Sequence, residues 1–381
     1  MSVQVQGENQ PRYNKLRAAL ADNLASGEEL GASVAVDVDG ERVVDLWGGF
    51  ADSARSNPWR EDTVVNVWSA SKPVINLAVL VLADRGLVDV DAPVARYWPE
   101  FAANGKEGVL VRHVMSHTSG VSGWDQPITL QDMYDVERAT DLLAQQAPWW
   151  EPGTASGYHS NNQGHLIDGL VRRVTGGTPL ADFVRTELAE PLGADFQIGL
   201  RAEDDDRAAE ITPPPPHNID FSALDPASVM LRTFANPYFP AEAVNTVEWR
   251  RARLGAVGGH GNARSLCQIL STVALGGTVN GHRLLSQETV DLVFKEQASG
   301  TDLVLGVPVR WGMGFGLPEP ATVPYVPQGR VAFWFGYGGS CTVVDADRRM
   351  TVSYAMNKMG AGIIGSERSA QYVAAAYDAL A

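Results

Sequence analysis

The chain has 381 residues, of which 45% are hydrophobic and 20% are charged, as is usual for an ordinary globular protein. This length exceeds a typical single domain, so we expect one large domain or two closely packed ones. The formal net charge of −15 argues against nucleic acid or an anionic membrane surface as a partner, because the surface would repel either. A small neutral substrate would be indifferent to that charge.

The N-terminal part of the chain predicts a helix followed by a hairpin. Residues Arg12 to Leu24 carry apolar side chains at helical spacing, and no basic start followed by an apolar core marks a signal peptide. After Gly31, two strand-like runs flank Asp39 and Gly40, a dipeptide favoured in tight hairpin turns.

A second helix is predicted in the stretch NVWSASKPVINLAVLVL. Proline fits the first turn of a helix, so Pro73 indicates a helix that begins close to Ser69. Positions three apart share a helix face, so the Lys72 amine can approach the Ser69 hydroxyl. The apolar run that follows predicts burial, which would lower the pKa of the amine and make it a usable base. Taken alone, this spacing is also that of a solvated serine and lysine.

The middle of the chain, from about Val74 to Leu275, is mainly helical pattern and long loops. Tyr158 lies there in a loop rich in glycine and serine, just before a predicted helix from about Gln163 to Val174. The proline tract 213–216 predicts an exposed, stiff connection.

The C-terminal part mirrors the N-terminal part. Tyr337, Gly338 and Gly339 stand at the entry to a strand, where missing side chains let a ligand approach the backbone. The segment CTVVDADRRMTVSYAMN predicts a strand, a polar turn and a strand, and Ser366 opens a closing helix. We therefore expect an α/β protein whose antiparallel sheet is completed by both chain ends.

The order of a Ser-x-x-Lys helix, a tyrosine loop and a Gly-rich strand resembles the clan of serine β-lactamases and penicillin-binding proteins. Within it the chain is most similar to class C β-lactamases and family VIII carboxylesterases. Further matching segments are VRHVMSHTSGV, WEPGTASGYHS and VGGHGNARSLCQIL, so the resemblance runs from Val65 to Asp345. It implies a β-lactamase-like fold, in which residues 1–73 and 276–381 form an α/β domain, residues 74–275 form an inserted helical domain, and the active site lies at their interface.

The resemblance also implies a role for each matching residue. Ser69 matches the nucleophile, and Lys72 matches the base that accepts its proton. Tyr158 matches the tyrosine that completes the proton relay and protonates the leaving oxygen. The backbone amides of Ser69 and Ser340 match the two donors of an oxyanion hole.

Two motifs depart from the β-lactamase pattern. Ser160 stands where the asparagine of Tyr-x-Asn holds the amide side chain of the antibiotic, and Tyr337 stands where the lysine of Lys-Thr-Gly steers the substrate carboxylate. Both changes remove polar contacts for a charged β-lactam and favour a neutral ester. Trp149 and Phe335 would either line an aromatic pocket or pack in the core. The expected substrate-binding residues are Ser160, Tyr337, Gly338, Gly339, Trp150 and Trp334.

Other motifs are absent or weak. The chain lacks the esterase motif G-x-S-x-G and the glycine-rich phosphate and dinucleotide motifs, so neither an α/β-hydrolase nor a cofactor is expected. His113 and His117 are four apart, but no glutamate follows His113, and we expect structural roles and no metal. His159 is expected at most to support the relay. His260 is expected to pack in its loop, although its glycine setting would suit a residue near a cleft.

The expected function is that of a serine carboxylesterase acting on small, short-chain esters. Cys267 and Cys341 are too few for a disulfide framework and suit a reducing compartment, which predicts a cytoplasmic protein. The same serine chemistry would serve a β-lactamase, a D-amino-acid peptidase, a linear amide hydrolase or an acyltransferase. A non-catalytic binding module that keeps the fold is the alternative from another class, and the altered second motif motivates it.

Overall fold

The computed structural model describes residues 4–215 and 225–380, so Pro216 of the proline tract lies outside the described residues, whereas Pro213 and Pro215 are exposed as predicted. The strands of the described part are β1 (Gln6–Asn9), β2 (Gly31–Val38), β3 (Glu41–Gly49), β4 (Val65–Asn66), β5 (Gln197–Ile198), β6 (Gly259–Gly261), β7 (Thr278–Val279), β8 (His282–Arg283), β9 (Ala298–Thr301), β10 (Pro308–Trp311), β11 (Gly316–Leu317), β12 (Val331–Phe335), β13 (Cys341–Asp345) and β14 (Met350–Met356).

The helices of the described part are α1 (Asn14–Ser26), α2 (Ser71–Asp84), α3 (Val111–Met115), α4 (Leu130–Tyr134), α5 (Val136–Gln145), α6 (Gln163–Val174), α7 (Leu180–Val184), α8 (Glu190–Leu192), α9 (Val229–Ala235), α10 (Val247–Arg251), α11 (Ala263–Ala274), α12 (Gln287–Val293) and α13 (Glu367–Asp378). A π-helical turn, Arg185–Ala189, joins α7 to α8. Short 3-10 turns occupy Pro11–Tyr13, Trp68–Ala70, Val94–Arg96, Pro99–Gly105, Ala202–Arg207 and Ala241–Asn245.

One nine-stranded sheet joins the two ends of the chain. Its order is β1-β3-β2-β14-β13-β12-β11-β10-β9, and every neighbouring pair is antiparallel. The β2–β3 hairpin turns at Asp39 and Gly40, which both have positive φ (53° and 83°), as the turn prediction requires. The expected antiparallel sheet completed by both chain ends is therefore confirmed.

Helices cover both faces of this sheet. Successive side chains of a strand point to opposite faces, and on β14 the Tyr354 ring packs on Tyr372 of α13, with ring centroids 4.9 Å apart. Thr351 is three positions earlier in β14, so its side chain points to the opposite face. There it accepts a 3.0 Å hydrogen bond from Ser271 of α11. The face of α11 that packs on the sheet carries small residues at four-residue spacing. One of them is Cys267, whose thiol donates to the Ala35 carbonyl of β2 at 3.3 Å.

The segment between the two sheet-forming ends is mainly helical where it is described. Between residues 74 and 275, its only strands outside the undescribed residues 216–224 are the short β5 and β6. Helix α11, which the expected boundary at residue 275 assigns to the inserted domain, packs against the sheet. The division into two domains remains a prediction. In residues 4–215 and 225–380, helices long and apolar enough to cross a bilayer are absent.

A buried ion pair fastens α13 to the loop before β2. Glu29 is 1% exposed and Arg368 is 7% exposed, and their side chains form a salt bridge. The Tyr354 and Tyr372 hydroxyls also donate to the Glu29 carboxylate. Arg368 further donates to the Glu28 carbonyl at 3.0 Å. Three donors from two elements, β14 and α13, thus converge on the Glu29 carboxylate.

We expect Arg368→Met to destabilise the fold by about 3–5 kcal/mol, because it leaves the Glu29 carboxylate buried without its cation. The double variant Glu29→Gln/Arg368→Met should recover part of this loss, since no unpaired charge remains. The matched control is Lys15→Met, which breaks the exposed pair Lys15–Asp378 between α1 and α13 and should cost less than about 1 kcal/mol. Urea unfolding measures the three free energies, and equal losses for Arg368→Met and Lys15→Met would contradict the analysis.

Candidate active site

Ser69 and Lys72 meet at the start of the helix predicted for them. Ser69 lies in the turn Trp68–Ala70, and α2 begins two residues later at Ser71, with Pro73 in its first turn as expected. Lys72 Nζ and Ser69 Oγ are hydrogen-bonded at 3.0 Å. The approach of amine to hydroxyl that the three-residue spacing predicts is therefore confirmed.

The Lys72 amine is buried among uncharged partners. Its side chain is 1% exposed, and beyond Ser69 it donates to the carbonyl oxygens of Ser160 at 2.6 Å and Ala256 at 3.2 Å. None of these three partners carries a negative charge that would stabilise an ammonium. Burial therefore lowers the pKa of Lys72 well below its usual value. The amine can stand beside Ser69 in its neutral, proton-accepting form.

Tyr158 completes the cluster from a loop that ends at α6. Lys72 Nζ lies over its ring, 4.8 Å from the centroid, and the Trp334 indole donates to its hydroxyl at 3.1 Å. Burial raises the pKa of Tyr158, and hydrogen bonding with Ser69 and Trp334 offsets this only in part. The phenol thus keeps its proton beside the serine and the amine.

The segment around Ser69 has an unusual backbone. Trp68 adopts φ 53°, in the left-handed region that few large side chains occupy. Ser71 Oγ donates to the Trp68 carbonyl at 2.6 Å and accepts from the Gly259 amide at 3.1 Å. A Cβ on Gly259 would lie 2.3 Å from Ser71 Oγ, so only glycine allows this approach. The glycines of the matched segment VGGHG therefore support the turn that presents Ser69.

Ser340 comes close to the same segment from the turn between β12 and β13. Ser340 Oγ donates to the Val67 carbonyl at 2.9 Å, and a Cβ on Gly336 would lie 2.2 Å from that carbonyl. Gly338 and Gly339 have φ of 87° and 128°, and the space of their missing side chains faces Met359 and Ser366. These two glycines thus have a local backbone reason for being glycine, apart from any ligand.

The histidines near the site have structural partners. His117 accepts the His159 amide at 3.0 Å, and the His159 ring contacts Ser119 Oγ at 2.6 Å. Burial lowers the pKa of His159 to about 3 and that of His117 well below its usual value. His260 lies in β6, buried against the Gly258 carbonyl. Among the described residues, groups of His, Cys, Asp and Glu suited to a metal ion are absent.

The residues expected to bind substrate are placed in two groups. Trp334 is 2% exposed and holds Tyr158, while the Trp150 indole donates to the Ala155 carbonyl and its ring packs on Gly157. Both tryptophans support the tyrosine loop. Ser160 and Tyr337 are only half-buried. The substrate-binding roles of all six residues remain predictions.

An aromatic cluster that the sequence does not predict lies beside Ser69. The Trp68 ring packs edge-on against Tyr337 at 5.5 Å and against Trp249 at 5.7 Å. Phe239 packs on Trp249 at 5.1 Å. Tyr238 is 78% exposed. Only the position of Trp68 directly before Ser69 could have pointed to this cluster.

Comparison with known proteins agrees with this geometry. The Beta-lactamase family matches residues 16–375 of the chain. The esterase/β-lactamase LipL of Mycobacterium tuberculosis is 34% identical over 369 residues, which are 93% of this chain and 83% of that protein. The esterase EstB of Burkholderia gladioli is 26% identical over 383 residues, 92% of each chain. A crystal structure of a family VIII carboxylesterase has a TM-score of 0.93 at 38% identity and covers 99% of this chain and 100% of that chain.

The chain belongs to the β-lactamase family. The resemblance to family VIII carboxylesterases that the motifs indicate is confirmed, as are the β-lactamase-like fold and the assignment to the serine hydrolases.

The burial of Lys72 predicts a pH-dependent stability difference. As pH falls below about 10, the unfolded chain takes up a proton on Lys72 before the folded chain does, so folding stability falls by up to about 1.4 kcal/mol per pH unit until the folded chain also takes up its proton. We expect Lys72→Met to remove this slope, and Lys15→Met to keep it, because Lys15 is 78% exposed. Urea unfolding across this range measures the slopes. Parallel curves for wild type and Lys72→Met would contradict the lowered pKa.

Proposed function

We propose that the protein is a serine carboxylesterase that hydrolyses short-chain carboxylic esters through an acyl-enzyme on Ser69. One observation carries the proposal. The Lys72 amine, whose pKa burial lowers, is 3.0 Å from the Ser69 hydroxyl and lies above the ring of Tyr158, whose pKa burial raises. A base and an acid are thus in reach of one nucleophile, as covalent acyl transfer requires.

The proposed acylation consists of nucleophilic attack, stabilisation of the oxyanion and release of the alcohol. Ser69 Oγ attacks the ester carbonyl carbon while its proton passes to the Lys72 amine. The backbone amides of Ser69 and Ser340 stabilise the oxyanion, and each such donor is typically worth roughly 100-fold in rate. The C–O bond then breaks, Tyr158 protonates the leaving alkoxide, and Lys72 returns a proton to Tyr158. Deacylation repeats the sequence with water as nucleophile, which releases the acid and restores Ser69.

A neutral ester fits the surroundings better than a charged substrate. Tyr337, which stands in the place of the substrate-steering lysine, packs on the ring of Trp68. Burial raises the pKa of Tyr337, and the nearby Tyr238 and Glu242 add to this effect. Glu242 is exposed at this aromatic surface, so an anionic substrate would meet a like charge there. These features support a preference for uncharged acyl and alcohol groups.

β-Lactam hydrolysis is the second candidate function. Its support is that the similar protein LipL is described as both esterase and β-lactamase. The missing lysine and asparagine contacts predict that the β-lactam nitrocefin is turned over more slowly than a short ester.

The cytoplasmic location remains a prediction, supported by two cysteines that are free, buried thiols.

Replacement of the nucleophile tests the proposal directly. Ser69→Ala should abolish hydrolysis of p-nitrophenyl butyrate, and diethyl p-nitrophenyl phosphate should add one diethylphosphoryl group to Ser69 of the wild type only. Activity assays and intact-protein mass spectrometry measure both effects. Ser71→Ala is the matched control, since it removes a neighbouring hydroxyl that bonds to the Trp68 carbonyl and the Gly259 amide, and it should retain the adduct. Full activity in Ser69→Ala would refute the mechanism.

The proton relay has its own test. Tyr158→Phe keeps the ring but deletes the proton, so kcat/KM, which reports acylation alone, should fall by roughly 100-fold or more on ethyl butyrate. The fall should be smaller on p-nitrophenyl butyrate, because p-nitrophenolate leaves without protonation. Lys72→Arg keeps a charge that cannot be lost and should be nearly inactive on both esters. A Tyr158→Phe enzyme with full turnover of the ethyl ester would remove the relay from the mechanism.

A further inference from the structure

A buried carboxylate outside every motif lies next to the tyrosine loop. Asp302 is 0% exposed and follows β9, at the turn that leads into β10. Its Oδ1 accepts the backbone amides of Tyr158 at 2.9 Å, Val304 at 2.9 Å and Leu305 at 3.0 Å. Its Oδ2 accepts the Trp311 indole N–H at 3.3 Å. All four donors are uncharged, so hydrogen bonds alone compensate this charge for its lost hydration.

Asp302 reaches Tyr158 along two routes. The first is the backbone: the Tyr158 amide bonds to the carboxylate, and Ser156 two residues earlier accepts the Leu303 amide at 2.8 Å. The second is the ring: Trp311 lies parallel to the Tyr158 ring, with centroids 6.0 Å apart and an interplanar angle of 4°. Trp311 also packs on Trp334 at 4.5 Å, the residue that donates to the Tyr158 hydroxyl.

The loop that carries Tyr158 has little regular structure of its own. Residues 149–159 form turns and irregular backbone between α5 and α6, with glycines at 153 and 157. A proton donor must nevertheless hold its position closely, because a misplacement of about 1 Å can cost roughly 100-fold in rate. The loop therefore needs an anchor from outside, and the β9–β10 hairpin supplies one.

We propose that Asp302 is a positioning residue for proton transfer by Tyr158. Its carboxylate fixes the tyrosine backbone with one oxygen and orients the stacked Trp311 ring with the other. The proposal rests on the proposed role of Tyr158 as the acid that protonates the leaving alkoxide. The negative charge of Asp302 acts in the same direction, since it helps to raise the pKa of Tyr158 and so favours the protonated phenol.

Graded variants separate the two routes. Asp302→Asn keeps an oxygen for the three backbone amides but turns an NH₂ group toward the Trp311 N–H, so it breaks the ring route alone. Trp311→Phe keeps an aromatic ring for stacking and removes the same N–H. Asp302→Ala breaks both routes. The matched control is Asp345→Asn, which alters another fully buried carboxylate, bonded to Arg348 and Tyr377 at the far end of β13.

The readout is the dependence on the leaving group, measured as kcat/KM for ethyl butyrate and p-nitrophenyl butyrate, because this ratio reports acylation and the deacylation step is the same for both esters. We expect Asp302→Asn and Trp311→Phe to lower kcat/KM roughly tenfold on the ethyl ester, with a much smaller effect on the p-nitrophenyl ester. Asp302→Ala should approach the loss of Tyr158→Phe. Asp345→Asn should leave the ratio of the two rates unchanged, even where it lowers the melting temperature.

A double-mutant cycle completes the test. If Asp302 acts through the Tyr158 hydroxyl, Asp302→Asn should have no further effect on the ethyl-ester rate in the Tyr158→Phe background. Equal losses on both esters, or the same loss in both backgrounds, would show a merely structural role and overturn the proposal. If Asp302→Asn keeps the wild-type rate on the ethyl ester while Tyr158→Phe loses it, only the positioning role of Asp302 is overturned. A fully active Tyr158→Phe would instead overturn the proposed relay. If Asp302→Ala does not fold, Asp302→Asn and Trp311→Phe still decide the question.

Discussion

The chemistry of this site depends on a lysine that is buried without a counter-ion. The hydrogen-bond partners of the Lys72 amine are the Ser69 hydroxyl and two backbone carbonyls, so no carboxylate among them stabilises its protonated form. A carboxylate in place of either carbonyl would pair with an ammonium and would remove the base. A buried carboxylate, Asp302, does lie near Tyr158. Its oxygens accept hydrogen bonds from backbone amides and an indole rather than from the Lys72 amine. Lys72 is only 1% exposed, so water has little access to the amine.

What the sequence predicts well here is local. The spacing of Ser69 and Lys72, the position of Pro73 in the first turn of α2 and the turn at Asp39–Gly40 all follow from the geometry of three or four neighbouring residues. The antiparallel sheet from both chain ends follows from patterns in two short regions. The motif order then links Tyr158 and Ser340 to the same site, because the resemblance supplies the long-range contacts that periodicity cannot.

What the sequence leaves out is the support of the tyrosine. Asp302 and Tyr158 are 144 positions apart, and Asp302 stands in the segment TDLVLG with no motif or spacing to mark it. The sequence predicts a substrate-binding role for Trp334, and the structure adds a hydrogen bond from its indole to the Tyr158 hydroxyl. Gly338 and Gly339 were expected to admit a ligand and also face Met359 and Ser366 across a tight turn. In each case the contact joins residues that are distant in the chain, which single-residue patterns do not encode.

The strand order has a consequence for synthesis. Strand β14 lies between β2 and β13, so the N-terminal hairpin cannot join the rest of the sheet until residues 350–356 leave the ribosome. Until then β2 has an open edge, and such edges invite pairing with other chains. The N-terminal hairpin therefore spends most of translation with this edge unpaired. Chaperone binding during this interval would protect the growing chain, and the last strand to emerge would end the need for it.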